Sequence, residues 1–216
     1  SDEATRVGLS GANIELTNND QGYDVVRIVS TDGNRLSLSE AEYNTDGDYS
    51  DHSTSKKLLP KNALQELKKL CGGDDEEWKM TFGDKEVCFS NTISSFQFFL
   101  LDGDFPEYER VFETLKLKNE FIVDRKILLS VFRRVSAVVE NKEASVCFRV
   151  GGDLSDSQME ITTKDQELAD FKETISIEYE GEPLEVAFRI SYLYDVINAT
   201  NCDALRIKLG SNLDPC

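Results

Sequence analysis

Histidine is almost missing from this chain: His52 is the single one in 216 residues. A His-based catalytic triad or a multi-histidine metal site therefore has little to draw on. No CxxC pair is present, and neither GxSxG, HExxH nor GxxxxGK[ST] occurs, so the commoner signatures of hydrolases, zinc proteases and P-loop enzymes are lacking. There is no leader-like pattern and no apolar run of ~18 residues, so nothing is expected to span a membrane. The five cysteines (Cys71, Cys88, Cys147, Cys202 and Cys216) are odd in number. Several sit in apolar contexts such as Val87-Cys88-Phe89, where a reduced thiol acts as a small core residue. That usage fits a reduced, cytoplasmic setting. Cations are also scarce: 24 Lys and Arg stand against 41 Asp and Glu, giving a net charge of −17 and a pI near 4.5. Such a balance counts against nucleic acid as a partner unless the positive charge is gathered in one place.

It is gathered. Lys61, Gln65, Lys68 and Lys69 are spaced i, i+4, i+7 and i+8, which puts them on one side of an α-helix. Lys126, Ser130, Arg133 and Arg134 repeat the spacing 65 residues later, and the apolar positions repeat with them: Ala63, Leu64, Leu67 and Leu70 become Leu128, Leu129, Phe132 and Val135. Residues 61–70 carry +2 and residues 125–139 carry +4, which leaves −23 on the rest of the chain. Either helix alone would read as an ordinary solvated face. The matched pair points to one polyanion-facing surface on an otherwise acidic protein.

The repeat extends beyond the helices. Lys56 to Leu59, Glu120 to Val123 and Leu184 to Ile190 read as strands leading into helices, the last of them Tyr192 to Ala199. Trp78 to Phe82, Ser145 to Val150 and Leu205 to Leu209 read as strands that follow. Alternating apolar and polar residues predict further antiparallel strands at Arg6 to Leu16, Tyr23 to Thr31, Arg35 to Glu42, Glu86 to Ser90, Ser95 to Leu101, Met159 to Thr163 and Thr174 to Glu180. The fold class is α+β, with repeated half-domain units of antiparallel sheet carrying helices on one face. Two domains are expected, 1–116 and 117–216. The period also predicts a strand and helix ahead of Arg6 and further strands beyond Cys216, so the chain reads as part of a longer protein.

Asp46-Gly47-Asp48-Tyr49-Ser50-Asp51 resembles the start of a calcium loop, but glycine is not sixth and Lys57 stands where the bidentate glutamate belongs. It reads as a solvated acidic loop. An acidic-loop, metal-dependent hydrolase using Asp46 and Asp48 stays open as the alternative from another functional class.

Three motifs carry a closer likeness. Thr31-Asp32-Gly33-Asn34-Arg35-Leu36, Asp102-Gly103-Asp104-Phe105-Pro106-Glu107-Tyr108 and Ser191-Tyr192-Leu193-Tyr194-Asp195-Val196-Ile197-Asn198-Ala199 resemble, in order, the pattern of the bacterial sliding clamp, the beta subunit of the replicative DNA polymerase. The likeness runs from about Arg6 to Cys216. It implies the clamp fold, with most of a middle and most of a third domain. The implied function is a non-catalytic processivity factor of the polymerase III holoenzyme, a homodimeric ring when full length. Such a ring would encircle duplex DNA without reading its sequence. A clamp-fold interaction module that never encircles DNA is a further alternative.

The resemblance also assigns residues. Lys61, Lys68, Lys69, Lys126, Arg133 and Arg134 would face DNA. A pocket that takes short peptide motifs from the polymerase, clamp loader and repair proteins would use Arg6, Leu9, Thr31, Gly33, Asn34, Arg35, Leu36, Pro106, Val111 and Tyr192, with Leu213 and Pro215 at its far end. Val138 and Val139, beside the strand Ser145 to Val150, would form the dimer contact. No catalytic residue, metal or cofactor is implied.

Overall fold

The computed structural model describes residues 7–44, 56–71, 77–139, 144–155, 157–163 and 171–210. The chain divides into two compact units, Ser1–Glu107 and Tyr108–Cys216. In the first, β1 (Gly11–Asn18), β2 (Asp24–Thr31), β3 (Leu36–Glu42) and β4 (Lys57–Pro60) form an antiparallel sheet in the order β3-β2-β1-β4. Helix α1 (Lys61–Leu70) follows β4 directly. Then β5 (Lys79–Phe82), β6 (Glu86–Ser90) and β7 (Ser95–Phe99) make a second antiparallel sheet. Alternation does the sorting. Ile14 and Leu59 from the first sheet meet Val87 and Phe89 from the second, with Leu64 and Leu67 of α1 packed on the same core.

The second unit holds α2 (Glu109–Thr114), β8 (Asn119–Asp124), α3 (Arg125–Val138), β9 (Ser145–Val150), β10 (Gln158–Thr163), β11 (Lys172–Ser176), β12 (Glu178–Glu180), β13 (Leu184–Arg189), α4 (Ile190–Ala199) and β14 (Ala204–Leu209). Its sheets run β11-β10-β9-β13 and β12-β8-β14. The order β11-β10-β9-β13 repeats β3-β2-β1-β4: a three-strand meander whose first strand also pairs with the strand that leads into the next helix. Phe148 of β9 sits at the centre. Phe121, Phe132 and Phe188 pack edge-to-face around it at centroid distances of 6.3, 6.3 and 5.5 Å, the arrangement that ring quadrupoles favour.

Two of the expected strands are corrected. Thr174 to Glu180 is two strands rather than one. Residues 172–176 pair with β10 and residues 178–180 with β8. The break falls at Ile177, a buried residue whose N–H still donates to Ser157 O at 3.0 Å, the last bond on the β10 side before the chain crosses to the other sheet. The first unit makes the same crossing in miniature: past β7, Leu101 N–H donates to Leu58 O of β4 at 2.8 Å. The strand expected from Arg6 starts instead at Gly11. Ser10 donates to Val7 O through both its N–H (3.0 Å) and its hydroxyl (2.7 Å), which closes a turn where the strand was to begin. The loop expected over Asn44 to Thr54 lies almost wholly outside the described residues.

Candidate functional site

On the two matched helices, burial follows the 65-residue correspondence. Ala63 is buried with Leu64, Leu67 and Leu70 half-buried, while Leu128, Leu129, Phe132 and Val135 are all buried. Lys61, Lys68 and Lys69 on α1 and Lys126, Arg133 and Arg134 on α3 are exposed. The helix starts differ. Pro60 precedes α1 and offers no side-chain cap, whereas the Asp124 carboxylate accepts from Ile127 N–H at 2.9 Å, an N-cap that satisfies one of the orphan donors of α3.

The six cations are not equivalent. Lys69 Nζ lies 2.7 Å from Glu66 Oε1, one turn back on its own helix. Lys126 Nζ lies 3.6 Å from Asp203, ahead of β14. Arg134 is clamped from β11: its Nε donates to one oxygen of Glu173 at 3.0 Å and its Nη2 to the other at 2.5 Å, while Nη1 reaches Ser130 Oγ at 3.4 Å. Among the described residues, Lys61, Lys68 and Arg133 have no ion pair. Arg125, which contributes to the charge of the same helix, is used elsewhere. It donates to the carbonyls of Ile197 (2.9 Å) and Asn198 (3.4 Å) at the end of α4, a cation on a helix C-terminus. Sequence reasoning missed Glu173, Asp203 and this use of Arg125. Their partners lie 39, 77 and at least 72 residues away, and no short-range spacing rule reaches that far.

In the first unit, the Thr31–Leu36 turn is pinned by its own side chains. Asp32 Oδ1 accepts from the N–H groups of Asn34 (3.0 Å) and Arg35 (3.1 Å), and Oδ2 accepts from Arg35 Nε at 3.0 Å. Thr31 Oγ1 donates to Arg35 O at 2.8 Å and accepts from Gly33 N–H at 3.1 Å. Partial burial works against the Asp32 carboxylate, but the donors from Asn34 and Arg35 outweigh it and hold its pKa below the usual range. Gly33 sits at φ +88°, in the left-handed region that a side chain resists. The turn therefore presents Asn34 and Arg35 in one fixed conformation.

Leu9 is partly exposed on the Val7–Ser10 turn. Its neighbour Gly8 is buried so tightly against the Asp104–Phe105 backbone that a Cβ there would collide with Asp104 O. The close approach brings the Leu9 segment beside the one leading to Pro106. In the second unit, Val111 is exposed on α2. Tyr192 of α4 lies under the Arg189 guanidinium, 4.8 Å from its ring centroid, and accepts from Arg189 Nη1 at 3.2 Å. Arg6, Leu213 and Pro215 lie outside the described residues, as do Asp46 and Asp48.

At the end of α3, where the dimer contact is expected, the two valines differ in exposure. Val138 is 39% exposed, but Val139 is 7% exposed and belongs to the core. The strand Ser145–Val150 is interior to its sheet, with β10 on one side and β13 on the other, so it has no open edge to offer. Among the described residues, no group of three or more His, Cys, Asp or Glu is placed to share a metal ion, and no helix is long and apolar enough to cross a membrane.

Comparison with known families gives two matches in chain order. The central domain of the DNA polymerase III beta subunit matches residues 1–107, and its C-terminal domain matches residues 113–216. The chain belongs to the DNA polymerase III beta subunit family. The beta sliding clamp of Haemophilus influenzae is 30% identical over 215 residues, covering 98% of this chain and 54% of the relative. The crystal structure of the DNA polymerase III subunit beta from Pseudomonas aeruginosa superposes with a TM-score of 0.81 at 25% identity, covering 96% of this chain and 53% of that one. A Pseudomonas aeruginosa sliding clamp bound to griselimycin superposes with a TM-score of 0.80 at 25% identity, over 96% and 52% of the two chains. The antiparallel sheets and few helices are thus those of the clamp fold. The chain spans about half the length of the clamp relatives it matches.

Proposed function

We propose that this chain supplies the central and C-terminal domains of a DNA sliding clamp, a non-catalytic processivity factor that encircles duplex DNA and tethers polymerase. The observation that carries the reading is the pair of matched helices. In a protein of net charge −17, α1 and α3 bury their apolar sides and turn cations outward at equivalent positions. A clamp must hold DNA and still slide, so weak phosphate contacts that ignore sequence suit it better than base readout. Lys61, Lys68 and Arg133 are proposed as the principal phosphate-facing groups. The domain boundaries and the soluble, cytoplasmic setting belong to the same reading.

Reversing those three together to Glu in the intact protein tests it, with retention on circular duplex DNA measured across a salt series. Each cation is one weak, exposed contact among several, so single changes should do little. The triple variant should lose retention and flatten the log–log salt slope by about three or more, near one unit per phosphate contact removed. Retention equal to the unmodified protein would show that these helices do not face DNA.

The reading includes a peptide-binding site that uses, in the first unit, the Thr31–Leu36 turn, Leu9 and Pro106. It is supported by the rigid turn, by the close packing of the Leu9 and Pro106 segments, and by the griselimycin-bound relative, which shows that a clamp of this fold takes a ligand. A second reading, a clamp-fold interaction module that does not encircle DNA, draws on the pairing of Lys69, Lys126 and Arg134 with carboxylates. The triple reversal separates it from the first.

A further inference from the structure

Of the cations on α3, Arg134 is the most firmly occupied. Glu173 takes two parallel N–H···O bonds from its guanidinium, the geometry in which arginine and carboxylate bind most strongly. Ser130 Oγ holds the remaining arm, and is itself fixed by donating to Ile127 O at 2.8 Å. Glu173 is a half-buried residue of β11, so its carboxylate approaches from the sheet rather than from a mobile loop. Its immediate neighbour Arg133 has no such partner among the described residues. Two adjacent arginines on one helix therefore stand in opposite electrostatic states.

We propose that Glu173 is a built-in counter-charge that withholds Arg134 from phosphate and so limits the attraction of this helix for DNA. The inference rests on the sliding-clamp reading above and specifies how its surface is tuned. A bidentate pair carries no net charge. Seen by a phosphate beyond the contact, the screened fields of Arg134 and Glu173 largely cancel, so this position adds little to the counterion release that drives binding. For a protein that must move along DNA, a neutralised cation keeps the helix attractive at Arg133 without adding a second strong anchor beside it.

Glu173→Gln tests this in the intact protein, because it keeps the side chain's shape and removes only its charge. Freed from its counter-charge, Arg134 should add about one unit to the log–log salt slope of duplex DNA binding and raise affinity several-fold at ~0.1 M salt. Adding Arg134→Gln should cancel that gain, as expected if the effect passes through the arginine and not through a change in fold. Unaltered slope and affinity in Glu173→Gln, in a protein whose binding is still abolished by the triple reversal of Lys61, Lys68 and Arg133, would overturn the counter-charge and leave the clamp reading standing. A gain that persists in the double variant would also overturn it. Binding indifferent to the triple reversal would remove the DNA reading and this inference together.

Discussion

Glu160 shows how single residues in this protein are set by neighbours the sequence does not place beside them. It is buried on β10 of an acidic chain, where desolvation alone would favour the protonated form. Yet Lys172 lies 2.6 Å from one carboxylate oxygen, and Arg149 donates to the other at 3.0 and 3.1 Å. The hydrogen bond from Lys172 contributes most and that from Arg149 adds to it, so the carboxyl is held below the ordinary glutamate range despite burial. A carboxyl whose folded pKa is depressed contributes stability that is fully present above the unfolded value, near 4.3. That contribution disappears as pH falls through the lower folded value. Thermal unfolding followed from pH 7 down to pH 3 should show Glu160→Gln less stable at neutrality, with the difference from the unmodified protein closing at the acid end. A difference that stays constant with pH would mean that shape, and not charge, is what Glu160 contributes. Asn119 makes the same point without charge. Its amide donates to Gly210 O at 3.0 Å and accepts from Glu182 N–H at 2.9 Å, which fastens the start of β8 to the turn before β13 and to the end of β14.

Among the elements, α3 is the best specified. It has the broader apolar stripe, with Leu128, Leu129, Val131, Phe132 and Val135 buried, and it has the Asp124 cap. Fully burying each of these side chains is worth about 1.5–3 kcal/mol against leaving it exposed, so the helix is held mainly by packing. The cap adds a smaller, separable amount. Asp124→Ala should destabilise the protein by about 1 kcal/mol in urea unfolding, while Asp124→Asn should recover most of the loss, because the amide oxygen can still accept from Ile127 N–H. Equal losses in both variants would place the effect in the negative charge near the helix N-terminus instead. Helix α1 has neither advantage: it buries only Ala63 fully and starts after Pro60. That difference is visible in sequence, since Leu128, Phe132 and Val135 together exceed Ala63, Leu67 and Leu70 in volume.

For the whole molecule, the proposed peptide site draws on the Thr31–Leu36 turn, Leu9 and Pro106, all of the first unit. Titration with a short peptide carrying a glutamine and paired apolar anchors, from a polymerase C-terminus, should give micromolar-class affinity, on the order of −8 kcal/mol. Leu9→Asp and Pro106→Asp each put a charge where an apolar anchor would be desolvated. Both should abolish binding while circular dichroism and thermal unfolding stay near those of the unmodified protein. Affinity retained in both variants would locate the peptide site elsewhere. The Pseudomonas aeruginosa sliding clamp bound to griselimycin shows that this relative takes a ligand; in the proposed site of this chain, the Asp32-pinned turn would be a wall that needs no ordering when a peptide arrives.

The sequence by itself determined the α+β class, the strand–helix–strand repeat, the apolar and basic sides of both helices and the Asp32-Gly33 turn. Each rests on periodicity or on backbone chemistry within a few residues, which the order of amino acids encodes directly. The family was legible for the same reason: Thr31 to Leu36, Asp102 to Tyr108 and Ser191 to Ala199 are contiguous runs. What only the tertiary structure decided depends on residues that meet from far apart in the chain. The division of Thr174 to Glu180 between two sheets follows from where β8 and β10 lie. The interior place of Ser145–Val150 follows from β13 pairing on its second side. The inequality of Arg133 and Arg134 follows from Glu173, brought onto one of two adjacent side chains by the fold of β11. Spacing along a helix tells which cations share a face, but a charge's availability depends on its counter-charge, and that is set by the three-dimensional path of the chain.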